Sequence, residues 1–191
     1  MSVIIYTPSL SSISVSLIIA SLLLFINSKD QAIQFYLIQY RFFELAAGGI
    51  ASGKGMLAAM VLGADGVQIG SRFVATEESS AHQNFKNMII DAKDGDTHLT
   101  LKELAPVRLL KNKFYQEVQE LYQQNPSKDQ LKELLGRARA KKGMFEGDLE
   151  DGELEIGQIA GLIHNIKPAK IVLEEIIEEY NLSKELVYSD L

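Results

Sequence analysis

The sequence predicts an α/β fold built on a parallel βαβ unit, and three observations predict it. A short apolar run, Leu45-Ala46-Ala47, is broken by Gly48-Gly49. An Ala- and Leu-rich segment, Met56 to Leu62, follows Ser52 as a helix N-cap and stops at Gly63. Gly66 to Val74 then sets Val67, Ile69 and Phe73 against Gln68, Gly70 and Arg72, the period-two signature of a strand. Strand, helix and strand within about thirty residues require a right-handed crossover between parallel neighbours. Gly48, Gly49 and Gly70 fall at the carboxyl ends of the two strands, where α/β folds place their ligands.

Composition narrows the function. The chain has 191 residues, 47% hydrophobic and 23% charged, the profile of one ordinary globular domain. Its net charge of -6 leaves no broad basic face to release counterions, so nucleic acid is excluded as a partner. The absence of cysteine removes disulfides, thiolate metal sites and a thiol nucleophile, and fits a cytoplasmic protein.

The segment before Leu45 reads differently from the rest. Ser9 to Ile26 is uncharged and ends in the dense apolar run Leu17 to Ile26. Its eighteen residues sit at the short end of the roughly 17 to 25 that span a bilayer. It lacks the basic start and the small-residue cleavage site of a secretory signal. Membrane association through 9–26 is the alternative to a purely cytoplasmic chain.

Beyond Thr76 the sequence predicts helices. Ser79 to Ala92 is one, with Asp94-Gly95-Asp96-Thr97 as a turn after it. Pro106 opens a helix to about Gln124, closed by Asn125-Pro126. Ser127-Lys128-Asp129-Gln130 reads as a capping box for a helix to Lys142. Glu153 to Asn165 and Pro168 to Asn181 complete the set, with Pro168 at a first helical position. The acidic cluster Glu146 to Glu155 lacks the spacing of a calcium loop and reads as a solvated loop. Glu174, Glu175, Glu178 and Glu179 read as a solvent-facing helix surface.

The glycine loops carry the chemistry. Gly48, Gly53 and Lys54 satisfy G-x-x-x-x-G-K, but Gly55 stands where a P-loop needs a hydroxyl for Mg²⁺, which argues against an NTPase. What remains is an anion cradle: glycines let backbone N–H groups approach a phosphate, and a helix starting near Ser52 aims its positive end at it. A parallel neighbour puts Gly70 and Ser71 beside Gly48 and Gly49. Gln68, opposite in direction to Val67 and Ile69, can turn its amide to the ligand. The competing reading is a pair of glycine turns that only close βα corners.

Five segments together closely resemble the C-terminal part of the nitronate monooxygenase family, which includes the flavin-dependent enoyl-ACP reductases. They are Ala46 to Met56, Gly63 to Phe73, Thr76-Glu77-Glu78-Ser79, Pro106-Val107-Arg108 and Gly157 to Leu162. The resemblance covers about Leu45 to Tyr180. It implies the last two βα units of an FMN-binding (β/α)8 TIM barrel over 45–100, followed over 101–191 by an α-helical C-terminal extension that packs back near the active site. Residues 1–44 form an unmatched hydrophobic segment. By motif matching, Gly48, Gly49, Gln68, Ile69, Gly70 and Ser71 hold the FMN. The activity implied is oxidation of alkyl nitronates with O₂; enoyl reduction and a non-catalytic FMN-binding remnant are the alternatives.

The resemblance also implies what is missing. In the family six βα units and a catalytic His precede the Ala-Ala-Gly-Gly strand, whereas forty-four residues without a His precede Leu45 here. His82, His98 and His164 do not match the family's base and read as surface or capping imidazoles, so no catalytic residue is assigned. Glu44 stands where a doubly buried strand should be apolar. The expectation is a truncated or rearranged copy with exposed strand edges, which needs self-association or completion by another chain.

Overall fold

The computed structural model describes residues 3–6 and 44–189 of the chain. The expected βαβ unit is present. β2 (Leu45–Ala47) leads into α1 (Gly53–Val61), and β3 (Gly66–Ile69) pairs parallel with β2, Leu45 opposite Gly66 and Ala47 opposite Gln68. Ser52 caps α1 as its composition predicts, its Oγ accepting from the Gly55 amide at 3.1 Å. Gly63, at φ 110°, turns the chain out of the helix where a side chain would be strained. Glu44 is exposed, so its carboxylate carries no burial cost.

Two features of this sheet differ from expectation. The period-two pattern runs to Val74, but the strand stops at Ile69 and Ser71–Val74 is a single helical turn, α2. Phe73 is still fully buried, because one helical turn returns it to the side that Ile69 faces. The second difference is β1 (Val3–Tyr6), which lies antiparallel on the other edge of β3, Val3 opposite Ile69. The sheet order is β1-β3-β2. The edge of β3 that a barrel would leave for another parallel strand is therefore covered by this chain.

A last helix, α6 (Ala169–Ser189), packs across α1. Val172 and Ile176, one turn apart, are buried with Ile50, Met56, Val67, Ile69 and Phe73 in the core under the sheet. Burying side chains the size of Met56 or Phe73 contributes roughly 1.5–3 kcal/mol each. Pro168 accepts the first bond of α6, from the Val172 amide, and so caps the helix rather than starting it.

The region between these parts is less helical than the sequence suggests. α3 (Gln83–Asp91) begins four residues later than expected, with His82 as its N-cap. Thr97–Thr100 forms β4, and Val107–Leu110, read as the start of a helix, forms β5 antiparallel to it. Proline before Val107 is as compatible with a strand start as with a helix start, since both tolerate its missing N–H. Leu109 and Leu110 are both buried, one in each of two separate cores, and only an extended chain points neighbours in opposite directions.

The helix expected from Pro106 begins instead at α4 (Lys113–Tyr122), capped by Asn112. The Ser127–Gln130 capping box is formed as read, and it opens α5 (Lys128–Leu135), which ends at Gly136 rather than Lys142. A π-helical turn, Lys141–Phe145, follows. The helix read over Glu153–Asn165 is largely extended: Leu110 N–H donates to Leu154 O and Ile156 N–H to Arg108 O, with a 3₁₀ turn at Gln158–Leu162.

The described residues thus hold three cores: the βαβ unit with α6; α3 with the 154–163 segment; and the β4–β5 hairpin with α4 and α5. Among them no helix is long and apolar enough to cross a membrane. The apolar segment 9–26 lies outside the described residues.

Candidate functional site

The two glycine loops leave the same end of the sheet. Because β2 and β3 run parallel and pair up to Ala47 opposite Gln68, Gly48-Gly49 and Gly70-Ser71 follow from neighbouring carboxyl ends. Gly48 and Gly49 sit at φ 91° and 70°, where other residues are strained. Among the described residues nothing lies within 4 Å of where a Cβ on either would stand. Among the described residues the loop is an open, backbone-lined surface.

The side chains of the second loop divide into two sets. Gln68 is exposed while Val67 and Ile69 are buried, as the alternation predicts. Ile69 is wholly inside the core, so only its backbone can meet a ligand. Gly70 precedes α2, and Ser71 follows it half-exposed. Ser71 Oγ accepts a bond from the amide of Gly157, 86 residues on, at 3.1 Å.

Helix α1 departs from the expected anion cradle. The Gly53 amide is already taken by a carboxylate of this chain, Glu179 Oε2 on α6, at 2.7 Å, and Ser52 occupies the Gly55 amide. The positive end of α1 is thus partly neutralised from within. Gly53 is itself a packing residue, since a Cβ there would fall on Tyr180 N and Ile176 O. The glycine that completes the P-loop-like pattern lets two helices touch. Glu179 is not merely part of a solvent-facing surface.

The Thr76-Glu77-Glu78-Ser79 motif is a joint between elements. Thr76 Oγ1 donates to Phe73 O at 2.9 Å, and the Glu77 amide donates to Lys167 O. Glu78 Oε2 accepts from the Ala169 amide at 2.8 Å, capping α6. Buried Lys86 closes it with bonds from Nζ to Glu77 O and Ser79 O. Arg72, also buried, donates to Ala75 O and to the backbone and side chain of Asn165. Burial lowers the pKa of its guanidinium and the nearby Glu175 pulls it back up.

None of the three histidines is bonded to a residue of the glycine loops among the described residues. His82 caps α3 through Nδ1, which accepts from the Asn84 amide at 3.1 Å. His98, on β4, is exposed with its ring 5.8 Å from that of Tyr115. His164 is exposed after the 3₁₀ turn. The acidic cluster is more ordered than a solvated loop: Asp151 pairs with Lys113 at 2.8 Å, Asp148 with Lys142 at 3.0 Å, and Glu153 is buried. Burial, helped by the Glu155 charge, raises the Glu153 carboxyl to about 7 against a pull down from Arg139. The residue that sequence reasoning missed is Gly157. It belongs to a recognised motif, but nothing local signals that its amide reaches Ser71.

Comparison with known proteins agrees with this architecture. The family described as nitronate monooxygenase matches residues 44–179. A probable nitronate monooxygenase of Staphylococcus saprophyticus is 33% identical over 138 residues, 72% of this chain and 38% of that protein. A probable nitronate monooxygenase of Staphylococcus aureus matches over the same shares. Among solved structures, FabK from Thermotoga maritima superposes with a TM-score of 0.74 at 40% identity, covering 81% of this chain and 49% of that one. A nitroalkane oxidase from Streptomyces ansochromogenes gives 0.60 at 28%, covering 79% and 43%. The chain spans less than two-fifths of the curated relatives it matches. With the match running through both glycine loops and on to α6, the chain belongs to the nitronate monooxygenase family of oxidoreductases.

Proposed function

We propose that this chain carries the FMN-phosphate site of a nitronate monooxygenase-type oxidoreductase. The observation that carries the reading is that Gly48-Gly49 and Gly70-Ser71 follow the carboxyl ends of two paired parallel strands, with space left around the first pair among the described residues. Among the described residues, two features fit a phosphate: nothing lies within 4 Å of where a Cβ on Gly48 or Gly49 would stand, and the Ser71 hydroxyl is bound only as an acceptor. Because Glu179 holds the Gly53 amide, the anchoring falls to the loops rather than to α1. Gln68, exposed on β3, supplies an amide beside Ala47 to orient the ligand.

When bound, FMN supplies oxidation of an alkyl nitronate and transfer of the electrons to O₂, while the protein supplies anchoring and orientation. His82 caps α3 and His98 lies beside Tyr115, and no histidine is assigned a role in this reading. The chain is the cofactor-anchoring part of the family's machinery. The higher similarity to FabK favours a second reading, the enoyl-ACP reductase branch on the same phosphate site.

The test is to express residues 1–191, incubate with FMN, gel-filter, and record the visible spectrum of the soluble fraction. A flavin band that co-elutes with protein is expected, and nitronates and enoyl thioesters are then assayed as substrates. Protein that emerges colourless overturns the reading.

A further inference from the structure

We propose that Gly157 is a positioning residue for the cofactor site, its amide orienting the Ser71 hydroxyl toward the phosphate of FMN. The inference rests on the phosphate-site reading above and extends it to a residue in a distant part of the chain. A hydroxyl has one proton and two lone pairs. The Gly157 amide fills one lone pair of Ser71 Oγ at 3.1 Å, and among the described residues the proton has no acceptor. A hydroxyl fixed in this way is a committed donor, and accepting a bond polarises the one it gives. An anion between the two loops is the partner that this state suits.

The identity of residue 157 follows from the same geometry. A Cβ at Gly157 would stand 2.7 Å from Ser71 Oγ, so any side chain drives the hydroxyl from its place. Gly157 also caps the 3₁₀ turn Gln158–Leu162, and Ala160 within it and Ile163 just after it are buried in the core with α3. The amide is therefore offered from a packed segment rather than from a loose loop. Together with the bonds from Arg72 to Asn165, this bond ties the turn that carries Ser71 to the second core.

The test compares FMN with riboflavin, which lacks the phosphate, by quenching of flavin fluorescence on the full chain. Gly157→Ala and Ser71→Ala are each expected to weaken FMN about tenfold and leave riboflavin unchanged. The double variant should be no weaker than either single, because both remove one interaction. Ser71→Thr, which keeps the hydroxyl, should restore the preference. Equal weakening of both flavins, or an unchanged FMN preference in Gly157→Ala, overturns the inference. In the unmodified chain the ¹⁵N–¹H resonance of Gly157 should shift with FMN and not with riboflavin, and a resonance indifferent to FMN overturns it even if the variant fails to fold. Wild-type protein that binds FMN no better than riboflavin sinks the phosphate-site reading itself, whereas a wild-type preference that Gly157→Ala retains sinks only the role of Gly157.

Discussion

Gly53 and Glu153 show how single residues set the stability of this chain. At Gly53 a methyl group would collide with the backbone of α6, which cannot rotate away as a side chain could. Gly53→Ala should destabilise the protein by about 1–3 kcal/mol or more, read as a lowered urea midpoint with unchanged slope. At Glu153 the sign follows from the raised pKa. Below the ordinary 4.5 the carboxyl is protonated in folded and unfolded chains alike, and its burial costs nothing extra. Between 4.5 and about 7 the unfolded chain ionises while the folded one holds its proton, so stability falls as pH rises through this window. The total loss is on the order of 3 kcal/mol. Glu153→Gln should flatten that decline and be the more stable form at pH 8; denaturation curves at pH 4.5 and pH 8 that change equally in both proteins would contradict this.

At the scale of elements, capping decides where helices begin. Ser127 and Gln130 satisfy each other's backbone amides at 3.3 and 2.8 Å on an exposed helix. Ser127→Ala should cost about 0.5–2 kcal/mol. Asn112 does more, since its Oδ1 caps α4 at Tyr115 while its Nδ2 donates to Leu149 O and Gly152 O. Asn112→Ala should cost more than Ser127→Ala under identical conditions, and equal losses would show those two carbonyl bonds to be idle. The contrast also explains what could be read in advance. The capping box is a four-residue pattern with a local mechanism, so α5 was legible at its start. The partners of Asn112 lie about forty residues away, and Lys113 could not be recognised as the helix start from its neighbours. β4 and β5 are four residues each, too short for periodicity to separate them from helix, and Pro106 suits either element. The glycine loops were legible because backbone conformation alone demands glycine at Gly48, Gly49 and Gly63. Glu179 on Gly53 and Gly157 on Ser71 were not, because both are contacts between elements far apart in sequence.

At the scale of the whole molecule, three separate cores should open as separate cooperative units. Leu131 is fully buried with Leu101, Leu109, Phe114 and Val118, in a cluster separate from that of the βαβ unit. Leu131→Ala should remove about 2–5 kcal/mol from that core. Hydrogen exchange should then show lost protection in β4, β5, α4 and α5, with β2, α1, β3 and α6 holding theirs; uniform loss would mean the three cores open as one. The antiparallel pairing of Val3–Tyr6 with β3 has a kinetic counterpart. A second chain that brings a parallel strand to that edge cannot simply add; residues 3–6 must first leave. Assembly there is an exchange reaction, and its rate should level off with rising partner concentration at the rate at which the resident strand lets go.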